Sequence, residues 1–354
     1  MRFHGAATAL LSMTVFVCAA PTGTTEVQTQ LPDGLPNPSQ EQLAEIEQNA
    51  RGTLPNTPPP PFISQEGVTN LKLIAFNELF EVAYFNELLL NITTNVTGYT
   101  ISDENDRDFV IEAFTAILAQ EELHALSANG GLSHFGVDPI QPCQYQFPVE
   151  DFKSAVVLAS TFTDVVLGTL QDVVERFAIG QDFDLARQIS SIIGQEGEQQ
   201  GWYRVIQGKI PSELPFLTTS DLSFAFTAIQ SFVVPGSCPN IQEIPLTTFE
   251  PLTIATPPGP ETQNITVFFK DTDFNDRNEL WITYINQQNL PIVEPLKILS
   301  QEHGNVAAEA SFPYTEHEMN GFTIAAITKS SGPFGNAYAV AAHTIAGPGF
   351  ITIN

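Results

Sequence analysis

Between residues 64 and 208, apolar side chains recur at steps of three and four, the period of helices that bury one face. The pattern predicts a helix over 64–90 and a second from a Ser102 or Asp103 cap to residue 127, ahead of Asn129-Gly130-Gly131. A third covers 149–178 and stops at Gly180, and a fourth runs over 182–208. A Thr-Thr-Ser-Asp start signal predicts a fifth over 221–232. From residue 233 onward Pro and Gly punctuate short runs of alternating or β-branched residues, at 264–269, 280–286, 305–312, 322–327 and 337–345. Strands spaced roughly ten residues apart predict a small immunoglobulin-like β-sandwich. Helices followed by strands mean two domains rather than one α/β sheet. The expected organisation is a signal peptide over 1–19, a Pro-rich extended leader over 20–62, a helical bundle with an added fifth helix over 63–239, and a β-sandwich over 240–354.

Polar residues on the apolar stripes carry the chemistry, because the helical period turns them toward the core. The first stripe reads Leu71, Ile74, Glu78, Glu81, Phe85, Leu88, and the second Val110, Phe114, Ile117, Glu121, His124. The third includes Ala159, Thr163 and Val166, and the fourth Ile192, Glu196, Gln199 and Tyr203. All four are interrupted near mid-length. A buried carboxylate without a partner costs several kcal/mol, so coincident interruptions need a common cause. A Glu-x-x-His pair places an oxygen and a nitrogen ligand one turn apart on the same face, which suits a carboxylate-rich metal centre in a bundle core.

The run Asn77-Glu78-Leu79-Phe80-Glu81-Val82-Ala83-Tyr84-Phe85 resembles the first-helix motif of a ferritin-like family. That family includes plant desiccation-related proteins and secreted fungal stress-response and late-sexual-development proteins. Glu121-Glu122-Leu123-His124 is similar to its second helix, residues 192–204 to its fourth, and Pro235-Gly236-Ser237-Cys238-Pro239 has its look as well. The resemblance implies a ferritin-like four-helix bundle. Carried over position by position, Glu78, Glu121, His124 and Glu196 match ligands, with Glu81 able to help. Thr163 stands where the third helix should supply a Glu, with Asp164 beside it but off the stripe, and Gln199 stands where a second His is expected. Thr and Gln are poor ligands for iron or manganese. The set suits one iron, manganese or zinc ion rather than a symmetric pair of irons. The alternative is a hydrogen-bonded core network without metal.

Gly194, Gly197 and Gly201 form a second stripe beside the polar one. Each interior helix Gly costs about 1 kcal/mol relative to Ala, so close approach of a neighbouring helix is expected there, with a ligand pocket as the alternative. Glu302-His303 and Glu316-His317-Glu318 read as solvated turns.

Composition changes the picture mainly through charge. The 354 residues carry 40 acidic against 13 basic side chains, a formal charge of -27. Such a surface repels nucleic acid and anionic lipid. Arg2, the short apolar run 6–18 and Val17-Cys18-Ala19-Ala20-Pro21 read as a secretory signal cleaved after Ala19, and no later stretch reads as a membrane span. With Cys18 removed, Cys143 and Cys238 remain as an even pair in an oxidising compartment and are expected to be bonded, two free thiols being the alternative. Sequons at Asn91, Asn95 and Asn264 agree with export.

The first functional reading is therefore a secreted glycoprotein of the fungal stress and development type, non-catalytic, with a degenerate metal site. Its partners would be the cell wall, other extracellular glycoproteins or itself. The others are a ferritin-like oxidase or metal-storage protein, and a carbohydrate-binding module carried by the β domain.

Overall fold

The computed structural model describes residues 31–271 and 279–354; the expected signal peptide lies outside them. Eight helices and eight strands are described, starting with α1, Gln40–Ala50. The bundle helices are α2 (Gln65–Thr93), α3 (Glu104–His134), α4 (Phe152–Ile179) and α5 (Phe183–Ile206), and α6 (Leu222–Gln230) follows. Their starts follow from capping chemistry. Ser64 accepts from Gly67 N, Asp103 from Asn105 N and Asp106 N, and Asp151 forms a reciprocal capping box with Ser154. Asp182 departs from this pattern. Its carboxylate caps nothing on α5 and instead takes Ser64 N at 2.9 Å and Ser64 Oγ at 2.5 Å, tying the start of α2 to the α4–α5 turn.

Two expectations are corrected by packing. The segment expected as an extended leader contains α1, capped by Ser39, and Ile46 and Ala50 form an apolar patch with Ala119 and Leu123 of α3. α3 does not stop before Asn129-Gly130-Gly131 but continues to His134. Leu71 of α2 lies against Gly131, where a Cβ would meet its Cδ1 at 3.2 Å, and Asn129 clamps Ile140 by both backbone groups. Tertiary contact outweighs the local breaker signal there. α4 is long and apolar enough to cross a membrane by length and composition, with mean hydropathy 1.3 over its most apolar stretch. Of that stretch 72% is buried inside the molecule, as befits the core helix of a bundle.

The β region is made of β1 (Leu252–Ile254), β2 (Gln263–Lys270), β3 (Trp281–Asn286), β4 (Ile292–Pro295), β5 (Lys297–Glu302), β6 (Asn305–Phe312), β7 (Gly321–Thr328) and β8 (Thr344–Ile353). Short helices α7 (Tyr314–His317) and α8 (Ala337–Ala341) interrupt it. The run 337–345, expected as a strand, is mostly α8. Asn336 accepts from Ala339 N and starts a helical turn that the alternating Ala residues also permit. Two four-stranded antiparallel sheets, β1-β2-β6-β5 and β4-β3-β7-β8, face each other with the strand order of an immunoglobulin sandwich. In the first sheet β6 alternates exposed or half-buried with buried positions. In the second, all eight residues of β7 are buried, because its inner face fills the sandwich while Phe322, Ile324 and Ala326 join the core of the bundle.

Cys143 and Cys238 are bonded, joining the α3–α4 connection to the segment after α6. A bridge between Tyr145 and Val233 lies beside them. Phe80 packs at the centre of the same region, against Tyr145, Phe147, Phe162 and Phe232.

Candidate metal centre

The helical period brings the polar interruptions of the four bundle helices to one level of the core. Glu78, Glu81, Glu121 and Glu196 are at most 2% exposed, and Thr163 is 1% exposed. The His124 side chain is 14% exposed, the most open of the group. One ligand atom from each of Glu78, Glu121, His124 and Glu196 lies within 4.8 Å of the others. His124 Nδ1 is 2.8 Å from Glu121 Oε2 and 3.5 Å from Glu78 Oε2. The four residues read from the stripes as ligands are the four that the fold brings together. Glu81, one turn beyond Glu78, belongs to the buried acid cluster without joining that set.

The two substituted positions have other work. Gln199 Nε2 donates to Glu121 Oε1 at 2.6 Å, while Gln199 Oε1 accepts from Tyr203 Oη at 3.2 Å. Its amide is thereby locked as a clamp on Glu121. Gln120, which the stripes did not single out, accepts from both Gln199 and Gln195 and extends this amide network between α3 and α5. Asp164 turns away, accepting from Gln200 Nε2 at 2.5 Å in a separate cluster with Glu213 and Arg204. Glu122 points toward Asp33 ahead of α1. Burial, and then the neighbouring Asp33 carboxyl, push it up to about 10, so it stays neutral and serves no ion. Among the described residues no carboxylate or imidazole stands in for the ligands lost at 163 and 199, so the centre fits one ion.

The electrostatics call for a cation. Both carboxylate oxygens of Glu78 and of Glu196, and Oε2 of Glu81, accept no hydrogen bond among the described residues. Burial, partly offset by His124, pushes Glu78 up to about 7. Burial together with Glu121 and the other acids raises Glu81 and Glu196 well above the usual carboxylate range. Burial alone would lower His124, but Glu121 and Glu78 outweigh it and hold the ring protonated well above its ordinary range. Glu78, Glu81 and Glu196 and the imidazole of His124 are thus kept compatible by protons. A divalent ion would replace those protons and supply the partner the orphaned oxygens lack. Three carboxylates with one imidazole suit iron, manganese or zinc.

The Gly stripe on α5 does not behave as expected. A Cβ at Gly194 or Gly197 meets nothing within 4 Å, and one at Gly201 only brushes Pro211 at 3.6 Å. No helix presses on it. Close approach occurs instead at Gly168 of α4, where a Cβ would sit 2.6 Å from Thr218 O. In the β region Glu302, His303, Glu316, His317 and Glu318 are exposed, and none joins a metal-ligating group among the described residues.

No curated protein matches this chain. Residues 69–209 match the ferritin-like domain family model, a span that holds α2 beyond its first turn, α3 to α5 and all of the candidate ligands. The helical part of the chain is a ferritin-like domain, and a β-sandwich follows it.

Proposed function

We propose that this is an exported ferritin-like glycoprotein whose bundle binds one divalent metal ion through Glu78, Glu121, His124 and Glu196. The observation that carries the reading is the pair of fully buried carboxylates, Glu78 and Glu196: among the described residues none of their four oxygens accepts a well-formed hydrogen bond, and His124 Nδ1 approaches Glu78 Oε2 only to 3.5 Å. Leaving such groups unsatisfied costs several kcal/mol, and a bound cation removes the cost. Bound there, the ion would act as a Lewis acid or a structural tie. The chain's own part is to hold ligands in place: Gln199 fixes Glu121, and Glu121 orients the His124 ring. Iron, manganese and zinc are the ions this donor set favours.

Export rests on the signal-like N-terminus, on the sequons and on the disulfide. Asn95 and Asn264 are exposed, whereas Asn91 is half-buried in the last turn of α2. The resemblance to secreted stress-response and sexual-development proteins supplies the biological setting, with the cell wall or other glycoproteins as partners.

Metal analysis of the purified protein tests the central claim. About one equivalent of iron, manganese or zinc per chain is expected, with proton release and a rise in melting temperature when metal is added to chelated protein. The double variant Glu78→Gln/Glu196→Gln should melt higher than the wild type without metal and no longer respond to it. Less than about half an equivalent, with no thermal response of the wild type, would sink the reading.

A further inference from the structure

A cleft of about 290 Å³ opens where the bundle meets the β-sandwich, walled by Phe80 and Phe162 from the bundle, Phe232 after α6, and Leu252, Pro348 and Phe350 from the sandwich. In a chain of formal charge -27, no charged side chain lines it. Its hydroxyl donors are already committed to backbone carbonyls: Thr161 to Val157, Thr227 to Ser223 and Ser231 to Ala228. Asn77 is different. It lines the cleft, is 7% exposed, and its buried Nδ2 has no hydrogen-bond partner among the described residues; turning the amide about its terminal torsion brings that nitrogen to the cleft. The same residue borders a small void beside Glu78, so the cleft stops one side chain short of the carboxylate centre. Beyond Leu158, Thr161 and Phe232 it continues onto an open shelf formed by Pro148, Val149 and Val157, with Asp151 and Lys153 at its outer side, which gives it a mouth.

Mostly apolar walls with one convergent polar group, at a junction of domains, are the usual form of a small-molecule site. We infer that this cleft binds a neutral, largely apolar molecule carrying one hydrogen-bond acceptor, which the Asn77 amide engages. The uncharged walls favour a neutral occupant over an ion, whose lost hydration nothing inside the cleft would offset. The volume is about twice the roughly 150 Å³ that admits benzene, so the occupant is on the scale of two six-membered rings. An acceptor such as a ketone or ether oxygen meets the orphaned donor and relieves its burial cost.

Calorimetric titration with 2-acetylnaphthalene and its acceptor-free counterpart 2-ethylnaphthalene tests the inference. Chelator-treated protein is used, so the outcome is independent of the metal reading. The ketone should bind saturably at one site per chain and about three- to tenfold more tightly than the hydrocarbon. Asn77→Leu should abolish that preference while leaving the hydrocarbon bound, and Ala228→Trp, which plugs the cleft, should remove both. Thermal melts of the two variants confirm that each is folded. Absence of saturable ketone binding, equal affinity for the two probes, or ketone binding that survives a folded Ala228→Trp overturns it.

Discussion

At position 199 a glutamine amide occupies the site where an imidazole would complete a second Glu-x-x-His pair. It accepts from Tyr203 and donates to Glu121, so it orients a ligand without being one. Groups that orient ligands in this way typically govern affinity by ten- to a hundredfold. Gln199→Leu should therefore weaken metal binding by about ten- to a hundredfold while leaving the stoichiometry at one ion. Competition against a chromophoric chelator reads both quantities, and unchanged affinity would remove Gln199 from the centre. The positions of Glu78, Glu121, His124 and Glu196 were legible from the helical period, since a residue on the stripe has to face the core. The clamp was not, because which way a buried amide points depends on partners from other helices. Gln120 and Glu121 of α3 are such partners.

At the scale of elements, glycine content and glycine function part company. Three glycines on α5 suggest close approach, yet Gly194 and Gly197 border open space, while the close approach falls on Gly168 of α4. There Ser220 N donates to Gly168 O at 3.3 Å, and Thr218, whose Oγ donates to Phe322 O at 2.5 Å, ties the same segment to β7. A methyl group at 168 would press on a backbone carbonyl that cannot rotate away. Gly168→Ala should destabilise by about 1–3 kcal/mol through overpacking. Gly194→Ala should stabilise by about 0.5–1 kcal/mol, because it restricts the unfolded chain and meets no obstacle. Urea titrations of the two variants check the pair, and the same sign for both would refute the assignment. Spacing shows where small residues lie, but only the neighbouring backbone shows which of them is needed.

The whole molecule is held as one body by polar joints as well as by its shared core. Arg176 of α4 pairs with Glu66 of α2, with Asp172 at 2.7 Å and with Asp221 at the start of α6 at 3.0 Å. Its guanidinium also lies 5.2 Å from the ring centroid of Tyr338 in the β region. Arg204 adds a second joint, donating to Asn354 at 3.1 Å. Burial, against the opposing pull of Arg176, raises Asp172 to about 6. A carboxyl raised in the folded state holds its proton more tightly there than in the unfolded chain. Its contribution therefore favours folding at low pH and is lost as pH rises from about 4 to about 6. Stability of the wild type should fall more steeply over that window than that of Asp172→Asn, by on the order of 1–2 kcal/mol. Denaturation midpoints at four pH values between about 4 and 7 measure it, and parallel curves would refute it.

The sequence by itself determined what repetition can encode. The 3.6-residue period placed four helices and turned their polar interruptions inward. A cap signal at Asp103 started the second of them and one at Asp221 the fifth helix, alternation drew four of the strands, and cysteine parity named the disulfide. Tertiary structure decided what depends on a distant neighbour. It folded residues 40–50 into α1 because α3 offers an apolar patch, and carried α3 through two glycines because Leu71 needs the space. It also buried β7 on both faces because the bundle covers the side that an antiparallel sheet commonly leaves to water. The cleft at Asn77 belongs to this second class. Its walls come from residues as far apart as 77 and 350, and no periodicity along the chain can announce a space that exists only where two domains meet.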